Sequence, residues 1–150
     1  MIKILFVCHG NICRSPMAEL IFKRLVLDKG EAGQFIVDSA ATSTEEIGND
    51  IYPPAKECLS SHGIKFGVHH AKQITREDLI YYDHIIAMEQ YNIDNLIKLL
   101  GESKKYSLLL DSTKRKKKDI SDPWYSGDFE TAYKEIETGC KALLKALEQK

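Results

Sequence analysis

Ile2-Lys3-Ile4-Leu5-Phe6-Val7-Cys8-His9-Gly10-Asn11-Ile12-Cys13-Arg14-Ser15-Pro16 decides how the rest of the 150-residue chain is read. Its apolar opening is too short for a helix and predicts a buried strand over Ile2–Cys8. A polar loop follows. From Pro16 to about Asp28, Ala18, Ile21, Phe22, Leu25 and Val26 recur at helical spacing, so strand, loop and helix succeed one another. A thiol at the strand end and an arginine six positions on then bracket a loop whose backbone N–H groups can turn inward. The helix N-terminus lies behind them. Successive N–H dipoles and the helix macrodipole converge on one point, which suits a doubly charged oxyanion. Arg14 adds a planar fork matching two phosphate oxygens. The same field favours Cys8 as a thiolate, the form that attacks. A phosphate cradle with a nucleophile at its floor is suited to phosphomonoester hydrolysis.

Each loop residue has a local reason to be there. Gly10 can take positive φ and lets the backbone approach a ligand. Asn11 tolerates the left-handed region. Ser15 can donate to the Cys8 thiolate and accept from a helix N–H, and Pro16 suits a first helical position. His9, Gly10, Asn11, Ile12, Cys13, Arg14 and Ser15 are therefore the candidate phosphate-binding residues.

Beyond the loop, the pattern keeps alternating. Strands are expected at Phe35–Ser39, within Tyr82–Met88 and at Tyr106–Leu110. Helices are expected over about Pro54 to His62 with Gly63 as the stop, over Gln90–Leu100, and from about Asp128 to Leu147. This predicts one α/β domain over residues 1–150: a four-stranded parallel sheet covered by helices on both faces, flavodoxin-like in type. Ligands in such sheets bind beyond the carboxyl ends of the strands, where the first loop lies. The chain is 43% apolar and 29% charged with a net charge of −1, a balance that argues against nucleic acid or membrane as partner. No membrane-length apolar run and no secretory h-region is read, because only five apolar residues follow Lys3 before His9. Four cysteines without framework spacing point to a reducing cytoplasm.

The first sixteen residues resemble the low-molecular-weight protein tyrosine phosphatases, whose mark is a C-x5-R-S loop near the N-terminus. The likeness continues through Asp38-Ser39-Ala40-Ala41, His62-Gly63-Ile64, His69 before Ala71, Met88 with Asn92, and Asp122-Pro123-Trp124-Tyr125. The resemblance implies a two-step reaction on phosphotyrosine without cofactor or metal. Cys8 would form a phosphocysteine, Arg14 would hold the equatorial oxygens, and Asp122 would protonate the leaving phenol and then activate water. It also implies a hydrogen bond between His69 and Asn11, and Cys13 as a thiol that captures oxidised Cys8. Implied partners are a phosphotyrosine-bearing protein, with a bacterial tyrosine kinase as one candidate, and inorganic phosphate as product inhibitor.

Plainer readings stand beside these. Asp-Pro is a common turn dipeptide. Trp124 and Tyr125 can pack a loop or flank a substrate ring. Cys13 can be loop packing, Cys58 and Cys140 read as core, and Lys114–Lys118 read as a solvated loop or an attractor of acidic partners. Where the family often carries an aromatic after Asp-Ser-Ala-Ala, this chain has Glu45 and Glu46, and His9 is also unusual in its place. Zinc held by Cys8, His9 and Cys13 would crowd three ligands into one loop, with no second cluster to supply a fourth. An arsenate reductase would need further cysteines that Tyr81–Leu100 does not hold. Arginine-directed relatives carry threonine where Ile12 stands. A binding module without turnover would need neither thiolate nor acid.

Overall fold

The computed structural model describes residues 1–149. Four strands, β1 (Ile2–Cys8), β2 (Phe35–Ala41), β3 (His84–Ala87) and β4 (Tyr106–Leu108), form one all-parallel sheet in the order β2-β1-β3-β4. The helices are α1 (Arg14–Asp28), α2 (Pro53–Ser61), α3 (Arg76–Tyr81), α4 (Gln90–Leu100), α5 (Pro123–Ser126) and α6 (Phe129–Glu148). Because side chains alternate along a strand, β1 feeds two cores. Ile4, Phe6 and Cys8 face a large one with Met17, Ile21 and Phe22 of α1 and Ile136, Cys140 and Leu144 of α6. Leu5 and Val7 face a smaller one with Leu96 of α4 and Ile85 of β3. Helices thus cover both faces, and the expected three-layer α/β domain is what forms. Among the described residues, no helix is long and apolar enough to cross a membrane.

Register places the chemistry. Cys8 pairs with Ala41 across β1 and β2, and Val7 pairs with Ala87 across β1 and β3. Three strands therefore end at one edge, and the loops that leave them emerge together. Close packing behind the sheet has one tight point. A Cβ on Gly139 of α6 would sit 2.6 Å from Leu109 Cγ and 3.1 Å from the Leu109 carbonyl oxygen, so only glycine lets α6 approach the 3₁₀ turn Leu109–Ser112.

Several boundaries differ from expectation. Helix α1 begins at Arg14, two residues before Pro16, so Pro16 stands in the first turn rather than at the first position. No i−4 carbonyl of the helix is available to an N–H there, and its absence costs nothing. Strand β2 runs to Ala41 because it keeps pairing with β1, while β4 stops at Leu108 where the chain tightens into the 3₁₀ turn. Helix α3 was not expected. Its signal is Thr75-Arg76-Glu77-Asp78, a capping box in which the Thr75 side chain accepts from the Asp78 N–H and Asp78 accepts from the Thr75 N–H. The loop before α6 also holds α5, which Asp122 caps.

Candidate active site

At the common strand edge, a cavity of about 490 Å³ opens among Cys8–Arg14, Glu45, Glu46, Glu89, Tyr91, Asp122, Trp124 and Tyr125. Cys8 lies at its floor and is almost fully buried. Its Sγ is 2.9 Å from Ser15 Oγ and 3.3 Å from the Asn11 backbone N–H. The direction of the first contact follows from what stands behind it. The Glu19 carboxylate can only accept, so the Ser39 hydroxyl donates to it at 2.6 Å and accepts from Asn11 Nδ2 at 3.0 Å. Asn11 Nδ2 also donates to Ser15 Oγ at 2.8 Å, so the Ser15 hydroxyl hydrogen can point at sulfur, the nearer of its two acceptors, the other being the Ala40 carbonyl at 3.5 Å. Hydrogen bonds thus link Glu19 to Cys8 through Ser39, Asn11 and Ser15, and this network fixes the position of the sulfur.

Asn11 is the hub of this region. It is fully buried, and it alone among the non-glycine residues described has positive φ, at 62°. Its carbonyl meets His69 Nε2 at 2.7 Å, and its Oδ1 accepts the Lys72 N–H at 3.2 Å. The expected His69–Asn11 contact is present, and His70 turns away to the Gly48 carbonyl. Asp50 holds the His69 N–H at 3.1 Å. Hydrogen bonds from Lys56 and from the Ile51 N–H keep the Asp50 carboxyl down at about 2. Two expectations are corrected. Gly10 does not have positive φ, since Asn11 makes the turn; a Cβ at Gly10 would come within 3.3 Å of the Glu46 side chain, which would have to shift slightly. Ser15 accepts from the Asn11 side chain rather than from a helix N–H.

Arg14 closes the loop at 2% exposure. Its Nη1 donates to the Ile120 carbonyl at 2.9 Å, and its Nη2 reaches Glu89 at 3.2 Å and Asp122 at 3.3 Å. Burial alone would lower its pKa. The Glu89 hydrogen bond and the negative charges of Cys8, Asp122 and Glu89 outweigh that and hold it above its ordinary value. Burial first, then the charges of Cys8 and Asp122, push the Cys13 thiol up to about 12, so it stays neutral beside Cys8.

The segment carrying Asp122 is held from both sides. The Ile120 N–H donates to the Met88 carbonyl at 2.8 Å, and the Ser121 N–H donates to buried Glu135 of α6 at 2.8 Å. Asp122 Oδ1 caps α5 through the Trp124 N–H at 3.1 Å, leaving Oδ2 toward Arg14. Trp124 is half exposed and packs on Tyr52, with ring centroids 4.8 Å apart, while Tyr125 is 85% exposed. On the facing rim His9 Nε2 meets Glu45 Oε2 at 2.9 Å, and the His9 ring lies 6.2 Å from Tyr91. Three members of Lys114–Lys118 serve the loop itself. Lys118 holds the Leu110 and Thr113 carbonyls, Lys117 reaches Ser121, and Arg115 reaches Glu135.

Sequence reading did not find Glu89, Tyr91, Glu19, Ser39 or Glu135 as functional positions. Glu89 had a usable signal, because it leaves the end of the third strand, and Asn92 fixes that turn by accepting the Met88 and Glu89 N–H groups. Glu135 had none, since its partner Ser121 is brought to it only by the tertiary fold.

A buried thiol and an arginine at the head of a parallel sheet, with a carboxyl group beside the arginine, define a protein built for oxyanion substrates. Comparison with known proteins narrows this. The family described as low molecular weight phosphotyrosine protein phosphatase matches residues 3–150, and the chain belongs to it. A phosphatase of that description from Rattus norvegicus is 41% identical over 149 residues, covering 95% of this chain and 94% of its own. The crystal structure of YfkJ from Bacillus subtilis superposes with a TM-score of 0.95 at 41% identity, covering 99% of this chain and 96% of that one. A structure of a Drosophila arginine phosphatase aligns with a TM-score of 0.88 at 32% identity, covering 97% of this chain and 98% of that one.

Proposed function

We propose that this protein-tyrosine phosphatase hydrolyses phosphotyrosine on proteins through a phosphocysteine, without a metal, using Cys8, Arg14 and Asp122. The single observation that supports this most is the floor: one buried sulfur receives hydrogen bonds from Ser15 and Asn11 and shares its cavity with Arg14 and Asp122. In the first step, Cys8 Sγ attacks phosphorus while Arg14 and the loop N–H groups of residues 9–15 hold the non-bridging oxygens. The P–O bond to the phenol breaks, and protonated Asp122 gives its proton to the departing oxygen. In the second, Asp122 takes a proton from water, the water oxygen attacks phosphorus, and the P–S bond breaks to return the Cys8 thiolate and free phosphate. Phosphate occupies the same cradle, so it inhibits as product.

Depth and rim set the preference. The phosphorus must reach a buried sulfur, which a long aryl ester does more readily than phosphoserine. Trp124, Tyr125 and Tyr91 supply apolar faces for the ring. Ile12 offers a guanidinium no acceptor, which separates this cavity from one made for phosphoarginine. The decisive assay compares phosphotyrosine, phosphoserine, phosphoarginine and arsenate side by side. The expected result is a kcat/KM for phosphotyrosine more than about tenfold above the others. Equal values for phosphoarginine would overturn the reading.

Peroxide is expected to convert Cys8 to a sulfenic acid, which the Cys13 thiol then displaces with release of water to form a disulfide. Peptide mapping of the oxidised protein detects that bond, and a thiol reductant restores activity. Four unpaired cysteines support a reducing, cytoplasmic setting, in which a phosphotyrosine-bearing protein such as a bacterial tyrosine kinase is the partner.

A further inference from the structure

Away from the cavity, α2 and α6 bring together three side chains of metal-ligating chemistry. Cys58 lies in the last turn of α2, and His62, four residues on, closes that helix, so thiol and imidazole share one face. Glu130, in the first turn of α6, meets both. Its Oε1 and Oε2 lie 2.7 and 3.0 Å from His62 Nε2, and the Cys58 thiol donates to its Oε2 at 3.7 Å. One sulfur, one nitrogen and one oxygen therefore fall within 4.8 Å of one another. A second observation fixes the nitrogen. The His62 ring lies flat on Tyr133, with centroids 3.7 Å apart and planes 8° from parallel, so packing sets its orientation before any ligand arrives. Cys58 is buried, whereas His62 and Glu130 are open to solvent, which leaves an entry path.

We propose that Cys58, His62 and Glu130 form a binding site for one thiophilic divalent cation of the Zn²⁺ class, with water as fourth ligand. The donor set decides the class: a thiolate and an imidazole suit zinc and are poor for calcium or magnesium, which take oxygen ligands. Tetrahedral zinc needs ligand atoms about 3.3–3.6 Å apart. The Cys58–Glu130 contact is already near that, and the His62–Glu130 pair opens by rotating one exposed glutamate. Burial, then the Glu130 charge, push the Cys58 thiol up to about 11, so binding releases its proton to water. The ion would tie the end of α2 to the start of α6. The neighbouring Phe129 ring packs on Tyr52, which in turn carries Trp124. None of the three ligands lines the catalytic cavity, so the site is separate from the proposed chemistry.

The test is Co²⁺ and Zn²⁺ titration of the full chain carrying Cys8→Ser, which removes the competing active-site thiol. One equivalent of Co²⁺ should bind with a thiolate-to-cobalt charge-transfer band and tetrahedral visible absorption. Zn²⁺ should displace it. Adding Cys58→Ser should abolish the band and weaken binding by about 100-fold. His62→Gln keeps a hydrogen-bond partner for Glu130 but should also weaken binding at least about tenfold. That variant carries the test if Cys58→Ser does not fold. No stoichiometric band, or a band that survives these substitutions, overturns the site.

Discussion

The floor of the cavity and its rim are built in opposite ways. The floor is a short run of chain in which Cys8 and Asn11 to Ser15 are buried, and Asn11 ties it to His69 and to Ser39, which Glu19 holds in turn. The rim is drawn from distant segments, with Glu45, Tyr91, Trp124 and Tyr125 all exposed. A buried network holds a nucleophile in one geometry, because leaving any of its polar groups unpaired is costly. Exposed side chains can change with little effect on stability, and selectivity can be set there without disturbing the chemistry. The contrast implies that floor substitutions act on kcat and rim substitutions act on KM.

Cys8→Ser should separate the two most sharply. Turnover is expected to fall by about 10⁴-fold or more, since a serine hydroxyl is a weak nucleophile at neutral pH, while phosphate still binds in the cradle. Residual hydrolysis within about tenfold of wild type would remove Cys8 as nucleophile. Asp122→Ala sits where floor meets rim. Its loss should be about 10²–10⁴-fold for aryl phosphates of high phenol pKa and much smaller for activated esters that leave without a proton. A loss independent of leaving group would reduce Asp122 to its cap of α5.

Asn11→Ala tests whether the second layer matters as much as the first. Alanine in the left-handed region, with the bonds to Ser15, Ser39 and Lys72 gone, should lower kcat by about 10–10²-fold with KM little changed. A rise in KM alone would mean that Asn11 positions substrate rather than sulfur. On the rim, Trp124→Ala should raise KM for phosphotyrosine peptides by about three- to tenfold, corresponding to the loss of one ring contact, with kcat nearly constant. A kcat effect equal to that of Asn11→Ala would dissolve the distinction.

The smallest effect concerns Asp50, which steadies the His69 segment. Its native pKa of about 2 lies below the ordinary carboxylate value, so its stabilisation is complete above about pH 4 and lost as the pH falls toward 2. Solvent screening limits it to about 1 kcal/mol, or a few degrees in Tm. Thermal melts of Asp50→Asn against wild type should differ at neutral pH and converge in acid. A constant offset would place the contribution elsewhere.

Local chemistry made the strand, the Cys8–Arg14 loop, the alternating elements and the parallel sheet legible in the sequence. Each depends on residues close in the chain: an apolar run, a 3.6-residue period, a thiol and an arginine bracketing one loop. His69 was legible only through likeness to a family, and Asp122 mainly so, with its place on the polar loop after the fourth strand in support, because a lone Asp-Pro or His has ordinary uses. Tertiary structure alone decided the rest. It showed that Asn11, not Gly10, makes the left-handed turn, since a web of partners holds Asn11 there. It showed Glu89 against Arg14 and Glu135 under the Asp122 loop, pairs separated by 75 and 14 residues. It also brought His62 to Glu130 across 68 residues. Hydrophobic periodicity reports which face of an element is buried, but not which distant polar atoms meet once the faces pack, because that depends on register and helix placement set by the whole core.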